Sequence, residues 1–494
     1  MFKSFLLEIF LSCAILLQLL FNTRLNNKST LNYLIIDTIL YSQVSFIIFV
    51  LIVLSTTVLG DFFSFNVCFI SNSEIVFIKL IISCLLLLSL KLIISTFSLQ
   101  NLNFHEFISI FLLSLLASFF ILNSKDLISF YLSIEMQSLC FYLLACFKRN
   151  SAFSSEAGLK YFIGSSFMSG IFLLGCSILY GALGTLNLAN ISILTTFTML
   201  PLLSNISLFG ILLITFFLLY KTAAVPFHFL YPDVYEGAPL SSTVIFNLLP
   251  YFSIYFFFNE WLHSINMFFP TIQILLLFCG ILSILVGTFF AISQFRIKRL
   301  VIYSSIAQVG FLISALSLNL TGGIVIVYFY LFIYLLTSFL IWGFIFLFLN
   351  FKNNICWGTI LPPLLVSSFS KVFKLNKIFG FSFVVVFFSL GGIPPFVGFI
   401  SKILVLQELI NNSFYLISVI LIIISSISVF YYLRIIKIMF FEPVYLEKNT
   451  SIFLFSNAIN LQTLYIHFSF SLFLLLFLCF IPEIVLIFFT IIFN

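Results

Sequence analysis

The sequence predicts an all-α polytopic membrane protein, on three observations: the balance of apolar and charged residues, a series of apolar runs long enough to span a bilayer, and an alternation of basic and non-basic loops. Of 494 residues, 63% are hydrophobic and 7% charged, with a mean hydropathy of +1.28. No soluble core hides that much apolar surface, so lipid must solvate it. In lipid each backbone N–H and C=O needs a partner within the protein, which makes a helix the natural spanning element for each run of about 20 apolar residues.

About 14 such runs occur, near 5–22, 39–59, 75–97, 106–123, 127–147, 158–184, 205–230, 239–259, 271–294, 299–317, 322–350, 380–410, 413–440 and 465–493. The first resembles a secretory signal, because Lys3 precedes an apolar stretch. It lacks a small-residue cleavage site and runs from Gln18 to Arg24 into a polar loop, so it is expected to remain as a helix. Loops after odd-numbered spans carry Arg24 and Lys28, Lys148 and Arg149, Arg296, Lys298 and Arg299, Lys352, Lys371, Lys374 and Lys377, and Arg434, Lys437 and Lys448. Loops after even-numbered spans carry Asp61, Glu74 and Glu260, with Lys125 as the main base. The positive-inside rule then puts both termini outside and the basic loops inside. It also accounts for the net charge of +6. Bases scattered among loops exclude a nucleic-acid stripe.

Nine cysteines are spread singly, with no C-x-x-C pair, and are expected to be buried packing residues rather than metal or redox ligands. No G-x-G-x-x-G or Walker sequence supports nucleotide binding. The 72 phenylalanines exceed what packing requires and suggest an AT-rich coding genome of the organellar type.

Against this apolar background Glu135, Lys160, Lys221 and Lys402 stand out, each in or beside a span. A charge within a bilayer costs at least about 2.5–3.5 kcal/mol and is retained for ion or proton movement or to hold a partner. Two spans are also interrupted. Lys221-Thr-Ala-Ala-Val-Pro226-Phe-His228 breaks the seventh, and Gly391-Gly392-Ile-Pro394-Pro395-Phe-Val-Gly398 breaks the twelfth just before Lys402. Proline removes a helix donor, and each freed backbone group must find a partner. The breaks lie five spans apart, in matching positions of two five-helix units. Paired broken helices in corresponding units mark an inverted-repeat core. The expected organisation is helices one to three in 1–104, a first repeat in 105–260, a second in 261–441, and a loop with helix fourteen in 442–494.

Ordered motifs now carry a family resemblance. Asp126-Leu-Ile-Ser-Phe-Tyr-Leu-Ser-Ile-Glu135-Met-Gln-Ser-Leu, Ser155-Glu-Ala-Gly-Leu-Lys160-Tyr, the Lys221 to His228 run with Pro232-Asp-Val-Tyr-Glu-Gly-Ala-Pro239, Ile297-Lys-Arg-Leu-Val-Ile-Tyr-Ser-Ser305 and Gly392 to Lys402 resemble the antiporter-like subunits of respiratory complex I. The resemblance covers roughly residues 105–440. It implies a proton-translocating subunit of a mitochondrial inner-membrane complex, organelle-encoded, with a stand-alone or Mrp-type cation/proton antiporter as the alternative. It implies that this chain binds no cofactor, and that NADH, FMN, iron–sulfur clusters and ubiquinone are held elsewhere in the complex. Its expected partners are neighbouring antiporter-like and small membrane subunits and lipids.

Physical chemistry gives each charge a role beside that resemblance. A carboxylate as deep as Glu135 needs a proton or a partner, and Lys221 is a candidate partner. Moving a carboxylate toward or away from a buried lysine switches the lysine between holding and releasing a proton, the role the resemblance implies for this pair. Lys160 either snorkels to the interface or serves as a relay. Lys402, flanked by Phe399, Ile400, Ile403 and Leu404, is the expected terminal carrier. His228, with Asp233 and Glu236, either guides protons or caps the returning chain; His105, His263 and His467 are read as interfacial. Tyr251 occupies a position where relatives carry lysine, and Gln308 one where many carry histidine. A phenol keeps its proton and an amide does not titrate, so a central route would run through water and hydroxyls, including Tyr303, Ser304 and Ser305.

Overall fold

The structure is a computed structural model describing residues 5–26, 44–55, 62–64, 69–100, 104–148, 151–197, 201–265, 268–318, 323–353, 366, 377–441 and 458–493. In chain order the helices are α1 (Leu6–Asn26), α2 (Val44–Ser55), α3 (Ser73–Gln100), α4 (Phe104–Asn123), α5 (Leu127–Ala145), α6 (Ala152–Leu183) and α7 (Leu188–Phe197). They continue with α8 (Pro201–Lys221), α9 (Leu230–Gly237), α10 (Leu240–Ser264), α11 (Phe269–Ser293), α12 (Ile297–Leu316) and α13 (Gly323–Asn353). The last five are α14 (Lys377–Gly391), α15 (Val397–Asn411), α16 (Tyr415–Phe441), α17 (Ala458–Phe480) and α18 (Pro482–Phe493).

Among the described residues 10 helices are long and apolar enough to cross a membrane, or 11 with the pair α17 and α18, which bends by 87°. Every predicted span carries helix. The twelfth is two half-helices, α14 and α15, separated by the Gly-Gly-Ile-Pro-Pro break, and the fourteenth is the bent pair. Several short elements lie between the expected spans. A short antiparallel hairpin, β1 (Phe62–Ser64) and β2 (Phe69–Ser71), follows α2 with Phe63 opposite Ile70, and α7 fills what was expected to be a loop. Of the expected packing cysteines, Cys140, Cys176 and Cys279 are buried, whereas Cys13 is exposed.

Serines tolerate the spans because their hydroxyls bond back to their own helix: Ser114 donates to Phe111 O at 2.6 Å and Ser118 to Leu115 O at 2.6 Å. Helix α6 ends where Gly184 takes the left-handed conformation (φ 75°) and its N–H caps the Tyr180 carbonyl.

The chain forms two compact units, one of residues 1–223 and 237–275, the other of 224–236 and 276–494. In the first, α4 packs on α5, α1 and α10, and α6 packs chiefly on α8. Lys79 of α3 bonds Glu8 of α1, which also accepts from Asn123 at the end of α4. Lys125 bonds Glu260 near the end of α10, and Asp126 pairs with Asn187 beyond α6. Starts of odd-numbered spans thus meet ends of even-numbered ones, as alternating crossings require. In the second unit α13 packs on α12, α14, α15 and α18. Arg434 of α16 donates to the Ile292 carbonyl of α11 at 2.9 Å, joining the ends of spans nine and thirteen. The basic residues Lys28, Arg149, Lys371, Lys374 and Lys448 lie outside the described residues.

Candidate functional site

The first break lies where it was expected. Helix α8 ends on Lys221, Ala223 holds a left-handed φ of 61°, and the Val225–Pro226 peptide is cis. Helix ends leave carbonyls without donors and carry partial negative charge, so a lysine in the last turn is favourably placed. Lys221 is half-buried, its Nζ 5.5 Å from the centroid of Phe217 one turn back. Glu135 of α5 is the acid whose charge acts on it. Among the described residues no ion pair within 4.0 Å joins the two; the Glu135 carboxylate instead accepts from Ser138 Oγ at 3.2 Å. Tyr131, Glu135, Ser138 and Tyr142 follow helical spacing on one face of α5. Both tyrosines feel the Glu135 charge, and Ser165 of α6 donates to the Tyr142 hydroxyl. This polar stripe was visible in the sequence but was reduced there to Glu135 alone.

Lys160 pairs with Glu156 one turn earlier at 2.7 Å, on the outward face of α6, the two side chains 39% and 59% exposed. Tyr251 is buried in α10 just after Pro250, with its ring stacked near Tyr255 at 6.3 Å. His263 lies in the last turn of α10, and the side chains of His105 and His467 lie outside the described residues.

His228 belongs to the second unit. It is buried in the turn that follows the cis proline, with its ring against Phe229 and its Nδ1 unpartnered. Beyond it, Glu236 accepts from Arg296 Nη1 at 2.6 Å and from Arg299 Nε, while Asp233 accepts from Arg299 Nη2 at 3.1 Å. The basic residues that the positive-inside rule puts on the inner side therefore clasp the two acids that follow the break.

The second break is the more enclosed site. Gly392 turns the chain with φ 74°, and the Pro394–Pro395 peptide is cis. Lys402, on the second turn of α15 and 6% exposed, reaches back across the break. Its Nζ donates to the Leu390 carbonyl at 3.0 Å and the Gly391 carbonyl at 2.9 Å, at the end of α14, and lies 5.5 Å from the Phe311 ring centroid. Gln308 Nε2 donates to the same Leu390 carbonyl at 3.2 Å, and Tyr330 of α13 donates to Gln308 Oε1. A cavity with room for about one water molecule lies beside these groups. Of the hydroxyls expected to form a wire, Ser304 and Ser305 donate to Val301 O at 2.7 Å and Ile302 O at 2.6 Å within α12. Tyr303 sits half-buried against Phe290.

One charged site was missed in the sequence. Lys79 and Glu8, 1% and 2% exposed, form an ion pair at 2.5 Å with Asn123 donating to the same carboxylate at 2.9 Å. The signal was the one that found Lys402, a charge inside an apolar run, but both residues lie close to predicted span ends.

The geometry has counterparts in known proteins. The family described as NADH:quinone oxidoreductase/Mrp antiporter, TM, matches residues 124–428, which include Glu135, both breaks and Lys402. NADH-ubiquinone oxidoreductase chain 2 of Marchantia polymorpha is 38% identical over 350 residues, 70% of this chain and 69% of the relative. NADH-quinone oxidoreductase subunit N of the Wolbachia of Brugia malayi is 37% identical over 327 residues, 65% and 67% of the two chains. A chain of respiratory complex I from Thermus thermophilus shares the fold, with a TM-score of 0.74 at 22% identity over 97% of this chain and 98% of that one. The chain belongs to the NADH:quinone oxidoreductase/Mrp antiporter family, as an antiporter-like membrane subunit of the chain 2 and subunit N kind.

Proposed function

We propose that this chain translocates protons across the mitochondrial inner membrane within respiratory complex I, with Glu135 and Lys221 as a switchable pair, His228 as an access group and Lys402 as the terminal carrier. The observation that carries the reading is Lys402: an ammonium sealed between half-helices in a span, held by two backbone carbonyls, with a water-sized cavity beside it. An ionisable group kept within a span is retained for ion or proton movement or to hold a partner. Lys221 is held loosely by comparison, within the field of Glu135 but without an ion pair. A shift of Glu135 toward Lys221 makes the lysine hold its proton, and a shift away lets it go. Lys160 stands aside from this path, its charge engaged by Glu156 on the outward face of α6.

The redox chemistry belongs to other subunits. In this reading NADH, FMN, iron–sulfur clusters and ubiquinone are bound elsewhere, and neighbouring antiporter-like and small membrane subunits deliver the energy. The family's other named branch, the Mrp antiporters, supplies the second reading, a cation/proton antiporter acting outside a redox complex. Native-gel separation of solubilised inner membranes, with in-gel NADH oxidation and mass spectrometry, decides between them. The expected result is this chain in a large NADH-oxidising band. Its recovery only in a small inactive band would overturn the complex I reading and favour the antiporter.

A further inference from the structure

We propose that Tyr330 is a positioning residue for proton exchange at Lys402, holding the Gln308 amide in the one orientation that leaves the lysine open to water; this rests on reading Lys402 as the terminal carrier. An ammonium has three N–H donors. Two go to the Leu390 and Gly391 carbonyls at 3.0 and 2.9 Å. The third is available to the cavity, whose lining includes Gln308, Tyr330, Thr337, Ser389, Ser401 and Lys402. Ser389, Ser401 and Thr337 spend their hydroxyl protons on their own helices, on Val386 O at 2.7 Å, Gly398 O at 3.0 Å and Tyr334 O at 2.9 Å. They therefore offer lone pairs to the cavity. A water there accepts from Lys402 and donates to these oxygens, the two to four polar partners a buried water needs.

Gln308 is the group able to spoil this arrangement. Its amide nitrogen donates to Leu390 O, the carbonyl that also holds Lys402. A flipped amide would bring Oε1 to that side as a competing acceptor for the lysine. The Leu390 carbonyl, which can only accept, holds the Nε2 end, and the Tyr330 hydroxyl supplies Oε1 with its donor, so the buried oxygen does not turn to the Lys402 ammonium. With the amide so held, proton release is balanced: a Lys402 N–H bond breaks as an O–H bond forms on the water, and the water passes one of its own protons onward. Lys402 is left neutral, and the positive charge has moved off the lysine.

The test compares proton translocation per NADH oxidised in coupled vesicles carrying the whole assembly, for Tyr330→Phe, Gln308→Leu, the double variant and Lys402→Ala. The expected pattern is non-additive. Y330F pumps several-fold more slowly at unchanged NADH oxidation, and the double variant pumps at the level of Q308L alone, because the hydroxyl acts only through the amide. A Y330F that pumps normally, or a double variant slower than Q308L alone, overturns the inference while leaving Lys402 as carrier. Failure of both Y330F and the double variant to assemble also overturns it, since the hydroxyl would then serve only folding. Undiminished pumping by K402A removes the underlying reading instead.

Discussion

The Lys402 ammonium lies on the Leu390 carbonyl at 3.0 Å, across the break that interrupts its own span. Leu390 and Gly391 end the half-helix α14, whose last carbonyls have no intrahelical donor and carry the negative end of the helix dipole. The break creates the need and the lysine meets it. Lys221 is the last residue of its own helix, α8, so each break has a lysine at a helix C-terminus. Helix ends facing a cation at a span interruption are how transporters hold ions in the membrane.

Gly392 makes the seat of Lys402 possible. A Cβ there would fall 2.8 Å from Lys402 Cδ and 3.1 Å from Nζ, on a backbone with φ 74°. Gly392→Ala is expected to displace the ammonium and lower protons translocated per NADH, with NADH oxidation retained in the assembled complex.

Gly398 and Gly391 give a graded comparison on the two sides of the same break. A Cβ on Gly398 would lie 1.7 Å from the Ser389 carbonyl oxygen, whereas the nearest atom to one on Gly391 is 3.6 Å away. Gly398→Ala is expected to abolish accumulation of the chain in the complex and Gly391→Ala to leave it intact, as read by immunoblot of native gels.

Glu8 and Lys79 form a fully buried pair, so removing one partner strands the other charge. Lys79→Met or Glu8→Leu alone is expected to cost about 3–5 kcal/mol, and the double apolar replacement to recover most of it. Thermal stability of the solubilised assembly and abundance of the chain would register both effects.

Glu236 bonds two arginines, Arg296 and Arg299, in a partly exposed network. Each such pair contributes about 0.2–1 kcal/mol, so Glu236→Gln should be mild. Glu236→Arg should sharply reduce assembly through like-charge contact, and Arg299→Glu in the same chain should restore part of it on a native gel.

The Glu135 charge bears on Lys221 without an ion pair between them. Lys221→Ala is expected to lower proton translocation more than Glu135→Gln, because the lysine carries the proton and the carboxylate biases it. Equal pumping by Lys221→Ala and the unaltered protein, measured by dye quenching in coupled vesicles, would remove Lys221 from the path.

Apolar length and charge placement, properties of the chain read residue by residue, were enough to locate the helices, both breaks, and the charges beside them. A bilayer imposes that directness: it forces backbone hydrogen bonds inside each segment and penalises every charge within it. The hairpin at Phe62–Ser71 and the helix Leu188–Phe197 escaped, since short elements between spans carry no such constraint. What only the tertiary structure decided is which polar groups meet. Tyr330, Tyr334 and Thr337 form a helically spaced polar stripe in α13, but nothing local shows that Tyr330 bonds Gln308, 22 residues away. Nor does local sequence join Glu8 to Lys79 across 71 residues. The bilayer acts on each segment separately, whereas a hydrogen bond between helices depends on how their faces turn toward one another, and packing alone sets that.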